Sequence, residues 1–236
     1  MQIKADPESM FDAVLMPIIF TALFVYVFGG AVAGSQQDYL QYVIPGLMAQ
    51  GGAMLAMAVG TGLNSDFKTG VMDRFRTLPI ARSSVLVAKS VTEIGRMLVS
   101  TVILLTFGVI LGFRVQTSFL NLLAAIGLTA LFGMSLIWIS MLLGMAVNSP
   151  QAVQGIGMLV VLPLQFGSSI FAPTSSMPGW LQTFTKVNPM SALADASRGL
   201  LNGGPLARPV TMVLIWSIGL TAIFAPLAVA RFRKRT

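Results

Sequence analysis

From Val115 to Thr185 the chain runs 71 residues without one charged side chain. No soluble domain folds from such a run, because a water-facing surface spends roughly a quarter of its residues on charge. Across the whole chain the charged share is 10 % and the hydrophobic share 55 %, with a mean hydropathy of +0.82. A bilayer accepts long apolar segments, provided each satisfies its own backbone hydrogen bonds. The expected fold class is an all-α polytopic membrane protein, residues 1–236 forming a single transmembrane domain.

The charge that is present is concentrated. Asn64–Arg96 holds nine of the 23 charged side chains: the bases Lys68, Arg74, Arg76, Arg82, Lys89 and Arg96, and the acids Asp66, Asp73 and Glu93. Apolar runs flank this segment on both sides, so it stays at one membrane surface, and its Lys/Arg excess places that surface in the cytoplasm. Within it, Asp66-x-x-x-Gly70-Val-Met-Asp73-Arg74-Phe75-Arg76 reads as a short amphipathic helix with acids first and bases last, the order a helix dipole favours. Leu78-Pro79 ends it, and Arg82 begins the approach to the next span.

About 20 apolar residues cross the hydrocarbon core. On that measure the spans are expected near 13–32 (Pro17 in its first turn), 42–63, 91–113, 120–146, 151–171 and 209–230. Tyr39 and Tyr42 sit as interfacial anchors before the second. The third must start near Val91, which places Glu93 and Arg96 as an ion pair at the inner surface. Asn148-Ser149-Pro150 separates the fourth from the fifth. Between the fifth and sixth, Trp180, Leu181, Phe184 and Val187 share one helical face, and Asn188-Pro189 reads as an N-cap with Pro at the first helical position. The second of these two short outer helices stops at Asn202-Gly203-Gly204-Pro205. Six spans with both termini in the cytoplasm put eleven bases inside and four (Arg114, Lys186, Arg198, Arg208) outside. The polar start, Gln2–Asp12, leaves no evident signal peptide.

Composition also excludes. The net charge of +7 comes from the loop and the tail Arg231, Arg233, Lys234 and Arg235, so it is no nucleic-acid footprint. Without cysteine or histidine there is no disulfide, no thiolate or imidazole metal site and no catalysis built on either residue. The acids are scattered at span ends, which leaves no enzyme constellation and no implied cofactor. A proton-coupled secondary efflux transporter is the competing reading, but it calls for ionisable residues at mid-membrane, and the spans carry none there. Asn148-Ser-Pro and Asn188-Pro-Met lie about 40 residues apart, too close to be the paired turns of a water channel built from two inverted halves. Small residues at four-residue spacing, Gly30/Gly34, Gly52/Ala56/Gly60 and Gly108/Gly112, allow close helix approach within one subunit or between two.

The order of these pieces resembles the type-2 ABC exporter permeases of the daunorubicin-resistance family. The charged loop carries the likeness together with Pro17 and Phe28-Gly29-Gly30, Tyr39-Leu40 through Pro45-Gly46, and Gly112-Phe113-Arg114. Met177-Pro178-Gly179-Trp180-Leu181, Asn188-Pro189, Arg198-Gly199-Leu200-Leu201 and Gly203-Gly204-Pro205 extend it along nearly the whole chain. The resemblance implies that the loop is a coupling helix docking on a cytosolic ATP-hydrolysing subunit. Asp66, Gly70, Asp73, Arg74, Arg76, Pro79 and Arg82 would form that docking segment. It further implies two ATPase copies, a second permease chain, a membrane-lipid setting and a hydrophobic or amphipathic cargo. No G-x-x-x-x-G-K-[ST] phosphate loop occurs in the chain, so ATP must be hydrolysed elsewhere. One departure is expected: the family's longer N-terminal amphipathic helix is short or missing where this chain begins with Asp6-Pro7-Glu8.

Overall fold

A computed structural model describes residues 15, 18–27, 29, 35–72 and 82–235. They are helical almost throughout: α1 (Ile18–Val27), α2 (Gln36–Lys68), α3 (Arg82–Leu111), α4 (Phe119–Ala146), α5 (Pro150–Phe166), α6 (Gly179–Val187), α7 (Pro189–Asn202) and α8 (Ala207–Arg235). Serines open three of the long elements. Ser35, Ser118 and Ser149 each accept a hydrogen bond from the amide three residues on, which satisfies one orphan N–H of the first turn. Pro150 then starts α5 where its missing N–H costs nothing.

Among the described residues four helices, not six, are long and apolar enough to cross a membrane: α2, α3, α4 and α8. This corrects the six-span expectation. The fifth expected span ran to residue 171, but α5 ends at Phe166 after 17 residues. At 1.5 Å per residue that is about 26 Å, short of the ~30 Å hydrocarbon core. Its end is fixed from outside the helix, because Asn188 Nδ2 donates to the carbonyls of Leu164 (2.7 Å) and Gly167 (3.0 Å). Apolar character continues past that point, whereas helix does not. Of the first expected span, the described part is the ten-residue α1. The third helix differs the other way and begins nine residues before Val91, at Arg82. Lys89, two turns into it, pairs with Asp66 of α2, so this polar stretch extends the helix instead of ending it. The expected coupling helix lies mostly at 73–81, outside the described residues.

Helix α2 is the axis of the bundle. It packs against α3, α4, α5 and α7, while α8 closes over α4 and α7. Small residues permit this. A Cβ on Gly60 would overlap the Ser140 backbone, and one on Gly144 would overlap Gly60 itself. At this crossing the Gly60 N–H donates to Ser140 Oγ (2.9 Å) and Ser140 Oγ donates to Met57 O (3.1 Å). Asn64 Nδ2 adds bonds to Gly144 O (2.8 Å) and Val147 O (2.7 Å). Gly60 therefore serves packing within one subunit. The core comprises three clusters along α2, around Tyr39 and Phe113, around Ala53 and Phe132, and around Leu63 and Met141.

Candidate functional site

Where α2 ends and α3 begins, the chain builds a fixed base for the charged segment. The α2 helix closes with the Thr69 N–H donating to Ser65 O (2.9 Å), and Gly70 follows at φ +72°, a left-handed conformation that suits glycine. Lys89 of α3 pairs with Asp66 of α2 across this gap. Beneath them Met72, Leu63, Leu86 and Met145 are buried together with Phe232 of α8, whose ring meets Phe67 edge-on at 5.8 Å. The segment thus leaves and re-enters the bundle at a point shared by α2, α3, α4 and α8.

One turn further along α3, Arg96 Nη1 donates to both carboxylate oxygens of Glu93 (3.1 and 3.3 Å). Glu93 is buried and Arg96 half-buried. Of the residues singled out in the sequence, the structure brings Glu93 and Arg96 together and places Asp66 against Lys89. Gly70 forms the turn and Arg82 opens α3. Asp73, Arg74, Arg76 and Pro79 lie outside the described residues.

A second polar cluster lies at the opposite end of α2, and sequence reasoning missed it, reading Arg198 as an outer charge and as part of the family resemblance but not as a buried base. Arg198 of α7 has 13 % of its side chain exposed, yet every nitrogen is engaged. Nε donates to Tyr42 O (2.9 Å), Nη1 to Asp195 Oδ1 (2.8 Å) and Ser169 Oγ (3.3 Å), and Nη2 to Ser169 O (2.7 Å) and Ile170 O (3.0 Å). Its guanidinium carbon stands 3.7 Å from the centre of the Tyr42 ring. Desolvation pulls its pKa below the ordinary value, opposed by Tyr42 and Asp195, which favour the charged form. Tyr42 and Tyr39 hydroxyls donate to Ser169 O (2.6 Å) and Phe171 O (3.1 Å), so these tyrosines anchor the protein's own backbone. The Asp195-x-x-Arg198 spacing was a legible signal, because an i,i+3 pair on a short helix can bury its base.

Both clusters tie helices together at the two ends of the central rod α2 of a polytopic helical membrane protein. The chain belongs to the ABC-2 type transporter family, whose pattern matches residues 1–202. It is similar to the daunorubicin resistance ABC transporter permease protein DrrB1 of Streptomyces coeruleorubidus, at 40 % identity over 235 residues, covering 100 % of this chain and 83 % of the relative. It is also similar to the probable doxorubicin resistance ABC transporter permease protein DrrC of Mycobacterium tuberculosis (strain ATCC 25618 / H37Rv), at 28 % identity covering 98 % and 84 %. A further relative, the probable multidrug ABC transporter permease YbhR of Escherichia coli (strain K12), is 24 % identical over 84 % of this chain and 54 % of its own length. The protein is accordingly the non-catalytic permease subunit of an ABC exporter, moving a hydrophobic or amphipathic substrate with ATP hydrolysed on a separate chain.

Proposed function

We infer that this permease exports a drug-like amphipathic compound, an antibiotic or a lipid from the cytoplasm. One observation carries the reading: the 40 % identity, along the whole chain, to a permease named for daunorubicin resistance. Two copies of a cytosolic ATPase supply the energy, and a second permease chain, identical or similar, completes the pathway. Both termini and the Asn64–Arg96 segment face the cytoplasm, the orientation supported by the eleven bases on that side. There the segment is the docking site, with Asp66, Gly70, Asp73, Arg74, Arg76, Pro79 and Arg82 meeting the ATPase. Asp66–Lys89 and Glu93–Arg96 hold its base at the inner surface. Movement of the docked segment passes into the rod α2 and, through Phe67 and Phe232, into α8.

The test separates docking from simple attraction to anionic lipid. Replacing Arg74 and Arg76 together by lysine keeps the charge and loses the planar two-pronged donor. Lipid attraction, about 1 kcal/mol per base, is nearly unchanged by that exchange. A docked interface loses more, so ATPase co-purification and export fall while membrane abundance stays normal. Wild-type co-purification and export in this variant would remove both arginines from the docking site.

A further inference from the structure

Helix α2 has one break in its hydrogen-bond ladder. Pro45 lies inside the helix and has no N–H, so Gln41 O is left without its donor four residues on. That carbonyl is not idle: Asn202 Nδ2, from the last residue of α7, donates to it at 2.7 Å. One turn earlier on α7, Arg198 Nε takes the next carbonyl, Tyr42 O, at 2.9 Å. Arg198 and Asn202 are spaced i,i+4, so one face of α7 covers two successive carbonyls at the break.

The neighbouring Gly46 makes the fit possible. A Cβ there would come within 2.6 Å of Ile170 O and 3.0 Å of Arg198 Nη2. The same guanidinium also grips Ser169 O and Ile170 O in the link after α5. Through the Arg198 side chain three parts of the molecule therefore meet at the Pro45 break: α2, α7 and the link after α5. Asn202 Oδ1 and the hydroxyl of Ser197, which precedes Arg198, are buried with no hydrogen-bond partner. Toward its other end α2 is joined to α4 through Gly60 and Asn64, where Asn64 Oδ1 is likewise buried without a partner.

We propose that α2 pivots at Pro45–Gly46, and that Arg198 and Asn202 of α7 are positioning residues that hold this pivot closed until movement at the charged segment releases them. Proline within a helix is the usual site of a bend, since the ladder there is already open. The rod from Gly46 to Lys68 then acts as a lever: displacement at Asp66 tilts it, Tyr42 O and Gln41 O turn away from α7, and α7 parts from α2. The driving force rests on the exporter reading above. The closed clasp itself does not.

The experiment uses the permease with its ATPase in lipid nanodiscs, where both faces are open to reagent and orientation plays no part. The chain has no cysteine, so Ser197→Cys, at a fully buried position of α7, gives one reporter for a maleimide probe read on the permease band. In the resting complex labelling is slow, and a non-hydrolysable ATP analogue accelerates it. Asn202→Ala raises the resting rate by about tenfold for the loss of one hydrogen bond of ordinary strength, and Arg198→Lys, which loses at least two of its five, raises it at least as much. Pro45→Ala returns an N–H to Gln41 O, and in that background adding Asn202→Ala changes the rate less than about twofold, since the bond it removes is by then redundant. Resting labelling at the wild-type rate in both Asn202→Ala and Arg198→Lys would overturn the proposal. So would an equal effect of Asn202→Ala with and without Pro45, the mark of a merely structural contact. If the variants label fast but the ATP analogue leaves the wild type unchanged, the clasp stands and the ATP-driven reading fails.

Discussion

Single residues carry more of this fold than the composition suggests. Gly60 is the sharpest case, because α2 and α4 approach until a Cβ has no room and the Gly60 N–H itself bonds across to Ser140. Gly60→Ala is expected to lower stability by about 1–3 kcal/mol, the ordinary cost of overpacking. Gly95→Ala, with nothing within 4 Å of the added carbon, is expected to be neutral or slightly stabilising, since alanine is the better helix former. Thermal unfolding in detergent, with membrane abundance alongside, checks the pair. The sequence showed both as helical glycines and marked only the four-residue spacing of Gly60. It had no means of saying which partner would fill the gap, because that depends on how α4 lies against α2.

At the scale of elements, helix ends are decided by long-range partners, and there the sequence was least legible. Ser149-Pro150 announced the start of α5 correctly, since a cap acts over three residues. The end of α5 depended on Asn188, more than 20 residues away in sequence, whose amide takes the Leu164 and Gly167 carbonyls. The same Asn188 caps α7, with Oδ1 accepting from the Met190 N–H at 2.9 Å. Asn188→Ala therefore removes three bonds at one point, one of them a helix N-cap worth about 1 kcal/mol by itself. Its expected result is a loss of stability of roughly 2–4 kcal/mol, combining the cap with the Leu164 carbonyl that loses its donor, while Gly167 O keeps Thr185 Oγ1 at 3.1 Å. Hydrogen exchange would locate the loss in 163–171 and 188–192; unchanged protection there would contradict the shared cap. The early start of α3 has a similar origin. Lys89 reads as a loop residue until Asp66 of α2 is known to face it.

The whole molecule is a rod with two fastenings. Near the charged segment, α2 is joined to α3 by Asp66–Lys89 and to α4 by Asn64; at the far end, α7 and the link after α5 close on Tyr42 and Gln41. Membrane residence, an all-helical chain and the absence of a phosphate loop were all legible, because each follows from composition or from a local pattern. The number of long spans was overcounted, because hydropathy registers apolar residues without registering where their backbone stops being helical. The Arg198 cluster went unread for a related reason: a single base in an apolar context counts as an outside charge until its carbonyl partners are known.

A permease subunit of an ABC exporter is expected to do no work without its ATP-hydrolysing partner. Reconstitution into sealed vesicles tests it directly, with the permease alone and with its ATPase, loaded with a fluorescent anthracycline as the amphipathic probe. The permease alone is expected to show no ATP hydrolysis and no transport under either ATP or an imposed pH gradient, with ATP-dependent transport appearing once the ATPase is added. Transport by the permease alone, driven by the pH gradient, would contradict it.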